Sequence, residues 1–279
     1  MHSLHKWLTP PQIITYNTFD IVYNYLYNYL LEELRSQKMP EQIEELSEKA
    51  RHSVKLQETL GLEGSPVAAA ILPEPPDGLK EWRRKATVCM MLQSARRGSA
   101  FYCPGDSIFC SGRAHLGIAE PPVQDLEDFL IRGEKLAGSR AAAHKMLDLV
   151  KRRTPKLGEY LALSPLGKAG FHPDVILFVG TPLQVSRIIF LDAFETGEID
   201  TVHGEPLCSG VIATPITTGK IGVSFIDMTS RQFGKYKPEE MVIGVPAGRL
   251  PRIVNSIDRS IAGTAKPDIF PGGRFPVME

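Results

Sequence analysis

No Cys-x-x-Cys pair, no Gly-x-Gly-x-x-Gly and no Gly-x-x-x-x-Gly-Lys-Ser/Thr occurs anywhere in the 279 residues. One turn therefore never supplies two sulfur ligands to zinc or to an iron–sulfur cluster. The two common glycine-rich phosphate loops are excluded as well. Gly-x-Ser-x-Gly and His-Glu-x-x-His are also missing, which removes the hydrolase nucleophile elbow and the zincin helix. No run of 18 apolar residues exists, so no membrane span is expected. The richest stretch, 16–34, is interrupted by Asn17, Asp20, Asn24, Asn28 and two glutamates. The opening residues, Met1 to Trp7, show no basic segment followed by an apolar one, so no secretory signal is expected and the cytoplasm is the expected compartment. Neither sign of charge predominates. Lys+Arg and Asp+Glu both number 32, and a neutral chain lacks the electrostatic footprint of a nucleic-acid binder. We expect neither nucleic acid nor membrane as a partner.

What is present describes an ordinary globular protein, 43% hydrophobic and 23% charged, long enough for one large domain or two small ones. Apolar periodicity predicts a helix over 15–38 with Ile21, Tyr25, Tyr29 and Leu34 on one face, and Pro40 opens a second over 41–61. These two form an N-terminal helical extension, residues 1–61, expected to fold as a hairpin and to pair with a second copy as a homodimer. Further helices are expected over 84–97, 123–132, 140–153 and 248–262. Strands are expected at 66–72, 160–163, 175–179, 221–226 and 241–244, with two short extended pieces at 100–103 and 107–110. Thr181-Pro182 reads as an N-cap followed by a first-turn proline. Strands alternating with helices mean an α/β fold, with α+β as the alternative.

The four cysteines carry the sharpest signal. Cys-Ser-Gly occurs twice, at residues 110–112 and 208–210, and each copy follows a similar order of apolar strand, helix and glycine. This predicts two similar halves with mixed sheets around a shared cleft over residues 62–265, followed by an irregular tail at 266–279. Cys110 and Cys208 would then face each other, with Cys89 and Cys103 close to Cys110 in sequence. Four soft thiolates suit an iron–sulfur cluster, with zinc as the alternative. The competing reading keeps Cys89 as a core residue on an apolar helix and the others as half-buried thiols. His115 and His203 lie five residues from a Cys-Ser-Gly cysteine, and with His172 they are candidate ligands or proton donors. The 179–182 turn is a candidate anion cradle. Arg231, Arg249 and the 244–248 turn are candidates for an acidic ligand.

Five phrases taken in order resemble the uncharacterised ArCR family of archaeal and anaerobic bacterial proteins. They are Leu60-Gly61-Leu62-Glu63-Gly64-Ser65-Pro66-Val67, Pro173-Asp174-Val175, Val179-Gly180-Thr181-Pro182-Leu183-Gln184, Arg231-Gln232-Phe233-Gly234 and Gly244-Val245-Pro246-Ala247. The resemblance covers about residues 57–260. It implies cysteines at Cys89, Cys110 and Cys208, but not at Cys103, and it carries no activity. The expected function is a cytoplasmic protein of anaerobic metabolism holding a thiolate-ligated iron–sulfur cluster for electron transfer, sensing or cofactor maturation. A redox protein or a small molecule is its expected partner. The alternatives are a small-molecule enzyme with a cysteine nucleophile or redox thiol, and a metal-free binding module that dimerises through its N-terminal helices.

Overall fold

A computed structural model of the protein describes residues 40–119, 126–133, 135–153, 156–200 and 207–263. The expected helix over 15–38, the tail at 266–279 and His203 lie outside the described residues. Contacts divide the chain between Glu45 and Leu46. Of the first unit only residues 40–45 are described, the opening of helix α1 (Pro40–Leu60).

The second unit is built on one seven-stranded sheet. Its strands are β1 (Val67–Leu72), β2 (Lys80–Glu81), β3 (Phe101–Pro104), β4 (Tyr160–Pro165), β5 (Val175–Gly180), β6 (Gly222–Ser224) and β7 (Met241–Pro246), in the order β2-β3-β4-β1-β5-β7-β6. Only β2 and β3 run parallel. The central strands read as continuous apolar runs because both faces of the sheet are covered. One face carries Val67, Ala69, Leu161, Leu163, Val175 and Leu177 under helix α2 (Val88–Arg96) and residues 207–213. The other carries Ala68, Ala70, Ile176, Phe178 and Ile243 under α1, α6 (Pro182–Ala193) and α9 (Leu250–Ser256). The remaining helices are α3 (Gly112–His115), α4 (Leu126–Asp128), α5 (Arg140–Arg153), α7 (Thr214–Thr218) and α8 (Met228–Gly234).

From Leu46 onward α1 belongs to this unit. Leu56 and Leu60 are fully buried. The Gln184 amide donates to the carbonyls of Leu60, at 3.1 Å, and Gly61, at 2.7 Å, while Arg187 donates to Thr59 at 2.8 Å. These bonds satisfy the orphan carbonyls that end every helix. Thr181 and Gln184 form a capping box, so the 179–182 turn is consumed in closing α6 rather than left for an anion.

The strand plan does repeat. Around the central β1–β5 pair, β4 then β3 flank one side, and β7 then β6 flank the other. Two expectations built on the repeat fail. The helix after β1 packs on one face of the sheet and the helix after β5 on the opposite face. Cys110 follows β3, whereas Cys208 precedes β6, the strand in the corresponding place of the other half. The two Cys-Ser-Gly copies are therefore not equivalent positions of one motif.

Cys208 reaches its place by a different device. It caps a five-residue π-turn (Ser209–Ala213) that lies flat on the outer strands. Gly222 and Gly244 are direct cross-strand partners in the β6–β7 ladder. A Cβ built on Gly222 would overlap the Gly210 carbonyl oxygen, and one on Gly244 would overlap that of Val211. The glycine pair is a gap in the sheet surface into which the turn's backbone settles.

Candidate functional site

Three of the four cysteines meet at one cavity. It encloses about 310 Å³ and is lined by Cys89 and Thr87 from the start of α2, residues 109–112 and His115, Cys208, and Asp227 with Phe233 around α8. Leu130, Leu136, Met146 and Leu147 also line it. The mouth is apolar and aromatic. Phe109 and Phe233 meet edge to face at 6.2 Å between ring centres, and both are about two-fifths exposed.

Thr87 is the N-cap of α2, accepting from the Met90 amide at 3.3 Å, and its hydroxyl lies 2.9 Å from Cys89 Sγ. A helix N-terminus ordinarily favours a thiolate. Burial outweighs that here and pushes the Cys89 thiol up, the Thr87 hydrogen bond opposing only in part. Cys208 is pushed well up by burial, reinforced by Cys110 and Cys89. Tyr236, itself buried, donates its hydroxyl to the Cys89 carbonyl at 3.3 Å and holds the first turn of α2 from behind.

Cys110 and Cys208 share one spot. A Cβ built on Gly112 would stand 3.0 Å from Cys110 Sγ, 3.1 Å from Cys208 Sγ and 2.9 Å from Val88 Cγ2. The sulfurs are thus no farther apart than those first two distances laid end to end. Gly112 holds this place because any side chain would fill the room the sulfurs occupy. Cys110 is half-buried and Cys208 is buried.

Sequence reasoning missed Asp227, the polar centre of the site. It caps α8, accepting from the amide and hydroxyl of Ser230, both at 2.8 Å, and from the Leu207 amide at 3.4 Å. Its carboxylate acts electrostatically on Cys89, Cys208 and His115. The preceding residue, Ile226, is buried with φ of 63°. A β-branched residue in the left-handed region is a strained outlier, and such strain gathers where a neighbour must be aimed. The missed signal was Asp-x-x-Ser ahead of a Gly-terminated stretch, the mark of a short capped helix.

His115 lines the cavity, and burial lowers its pKa to about 4 against a weaker upward pull from Asp227. Its ring is neutral at physiological pH. Cys103 stands aside: it is fully buried in β3, its thiol pushed up to about 12 by burial, and its Sγ points to the Pro104 carbonyl at 3.5 Å. His172 is exposed on the β4–β5 connection beside Asp174, away from the thiols. Neither expected arginine faces a ligand. Arg231 donates to the carbonyls of Phe225 at 2.7 Å and Glu240 at 2.9 Å. Arg249 pairs with Asp192 at 3.1 Å and Asp200 at 2.7 Å.

The iron–sulfur function expected from the sequence is overturned. Among the described residues no group of three or more His, Cys, Asp or Glu side chains is arranged to hold a metal ion. Three of the thiols line the cavity, and the fourth is sealed inside the sheet. No helix among the described residues is long and apolar enough to cross a membrane.

An uncharacterised protein of Methanocaldococcus jannaschii is 28% identical over 229 residues, covering 77% of this chain and 95% of its own length. No solved structure matches the chain significantly. The model of a family described as uncharacterised ArCR, a domain of unknown function, matches residues 55–256, which spans the whole sheet and every wall of the thiol-lined cavity. The chain belongs to the uncharacterised ArCR family.

Proposed function

We propose that the protein binds a small amphipathic molecule in the cavity between α2, α5 and α8. The observation behind this reading is a lining that is mostly apolar with a few polar groups among it. Phe109, Phe129, Leu130, Met146 and Phe233 offer an apolar sleeve, and Asp227, Thr87, neutral His115 and three thiols line the same cavity and act on one another. Ligand pockets have this composition, mostly apolar with a few placed polar groups, and 310 Å³ stands at the small end of their range. The apolar body of the ligand would displace water from the sleeve, and a hydrogen-bond-donating head would meet the Asp227 carboxylate. Strain at Ile226 supports the same reading, since it aims Asp227 into the cavity. A reducing compartment such as the cytoplasm suits four cysteines that carry no disulfide.

Titration with the neutral fluorophore N-phenyl-1-naphthylamine tests the proposal. We expect saturable binding that weakens about tenfold in Met146→Trp, whose indole would fill the sleeve. Phe190→Trp, on α6 at the opposite face, should bind as the wild type does. Equal binding by the Met146→Trp and wild-type proteins, or no saturable binding, would refute it.

A further inference from the structure

We propose that Cys110 and Cys208 are a reactive dithiol that low-molecular-mass disulfides oxidise to an intramolecular disulfide across Gly112. The proposal stands apart from ligand binding and assigns a modification site to the cavity wall. It rests on three observations. The two sulfurs stand 3.0 and 3.1 Å from the single position a Gly112 Cβ would take, so they are no farther apart than those two distances laid end to end. They belong to different segments, α3 with its preceding residues and the π-turn of residues 209–213, so a bond would tie together two elements 98 residues apart in sequence. Both sulfur-bearing residues line a cavity that a small reagent can enter.

The neighbours explain why this pair, and not another, would react. Cys103 also interacts electrostatically with Cys110, but it is fully buried and does not line the cavity. Cys89 lines the cavity, yet its thiol is engaged by the Thr87 hydroxyl at 2.9 Å, and Tyr236 and the N-cap hold its helical turn in place. Cys208 is buried at the start of the π-turn, but its sulfur already stands beside that of Cys110 at the bare face of Gly112.

The chemistry is two exchanges. The half-buried Cys110 loses its proton and attacks one sulfur of the reagent RSSR. A Cys110–SR bond forms, the RS–SR bond breaks and RS⁻ leaves, taking a proton from solvent. Cys208 then gives up its proton and attacks the Cys110 sulfur, forming the internal bond and expelling the second RS⁻, which is protonated in turn. Two cysteine thiols are oxidised by two electrons, and one reagent disulfide is reduced to two thiols.

Oxidised glutathione is a suitable probe, applied to the reduced full-length chain and followed by intact mass and peptide mapping. We expect the wild type to end two hydrogens lighter, with one linked pair of peptides holding Cys110 and Cys208. Cys208→Ser should stop at a stable glutathione adduct on Cys110, whereas Cys89→Ser should close as the wild type does. A wild-type protein that retains the adduct, that stays unmodified, or that forms its bridge through Cys89 or Cys103 overturns the proposal. Circular dichroism of each variant separates a chemical effect from a folding failure, and the wild-type result decides the question without any variant.

Discussion

Replacing Gly244 with alanine tests whether the docking of the π-turn on the sheet is what positions Cys208. A Cβ there overlaps the Val211 carbonyl oxygen outright, stands 2.7 Å from that carbonyl's carbon and 3.0 Å from Val211 Cα. In ordinary sheet contacts a carbon comes no closer to a carbonyl oxygen than about 3.3 Å. The obstacle is backbone, so no rotamer change relieves it. Either the strand or the turn must withdraw by about 1 Å or more. Overpacking a close-packed core costs about 1–3 kcal/mol, and a forced backbone shift belongs at the upper end. We expect about 3 kcal/mol, or a fall in Tm of about 6–12 °C for a domain of this size. Urea unfolding followed by circular dichroism measures it beside Gly248→Ala, where a Cβ meets nothing within 4 Å. That control should stay within about 0.5 kcal/mol of wild type. Alkylation of native Cys208 should also quicken, by about tenfold, as the turn lifts and its local opening becomes cheaper. A Gly244→Ala protein as stable as the wild type, with Cys208 equally protected, refutes the reasoning.

Glu240 is buried, its carboxylate accepts from Arg96 Nη1 at 2.7 Å and from the Lys237 amide at 2.7 Å, and the Arg96 side chain is only 10% exposed. Glu240→Ala strands that guanidinium, so thermal or urea unfolding should show a loss of about 3–5 kcal/mol; a loss under about 1 kcal/mol would contradict the pairing. His115 supplies a pH dependence. Its folded pKa of about 4 lies below the ordinary 6.5, so the unfolded chain takes up the proton first. Its neutral ring therefore supports the fold fully above pH 6.5, and that support declines as pH falls toward 4, below which it changes no further. His115→Gln should flatten this part of the stability curve, and unfolding midpoints that track the wild type through the whole window would disprove the assignment.

Much of the fold was legible in local chemistry. Proline at position 40, the Thr181-Pro182 cap and the unbroken apolar run at 175–179 each act within one turn or one strand, and each element stands where these signals put it. The short elements around the site were not legible. Helix α8 has seven residues, and the π-turn has five, too few for a period to declare itself. The twin Cys-Ser-Gly phrases were a true pointer reached by a mistaken route, since the two sulfurs meet without being symmetry mates.

From its sequence alone the chain determined its class and its family, because periodicity, capping and the order of short phrases survive without knowledge of distant partners. Only the tertiary structure decided which cysteines share a wall and which one is sealed away. That choice depends on which sheet face a helix covers and on how closely two backbones approach. The Gly222–Gly244 pair and Gly112 illustrate the reason: their consequence is an empty volume, and an empty volume has no signature until the chain that fills it arrives from elsewhere. Asp227 belongs to the same class. It reads as a polar residue before a methionine in the sequence, and it becomes the centre of the site only when α8 brings it beside Cys89, Cys208 and His115.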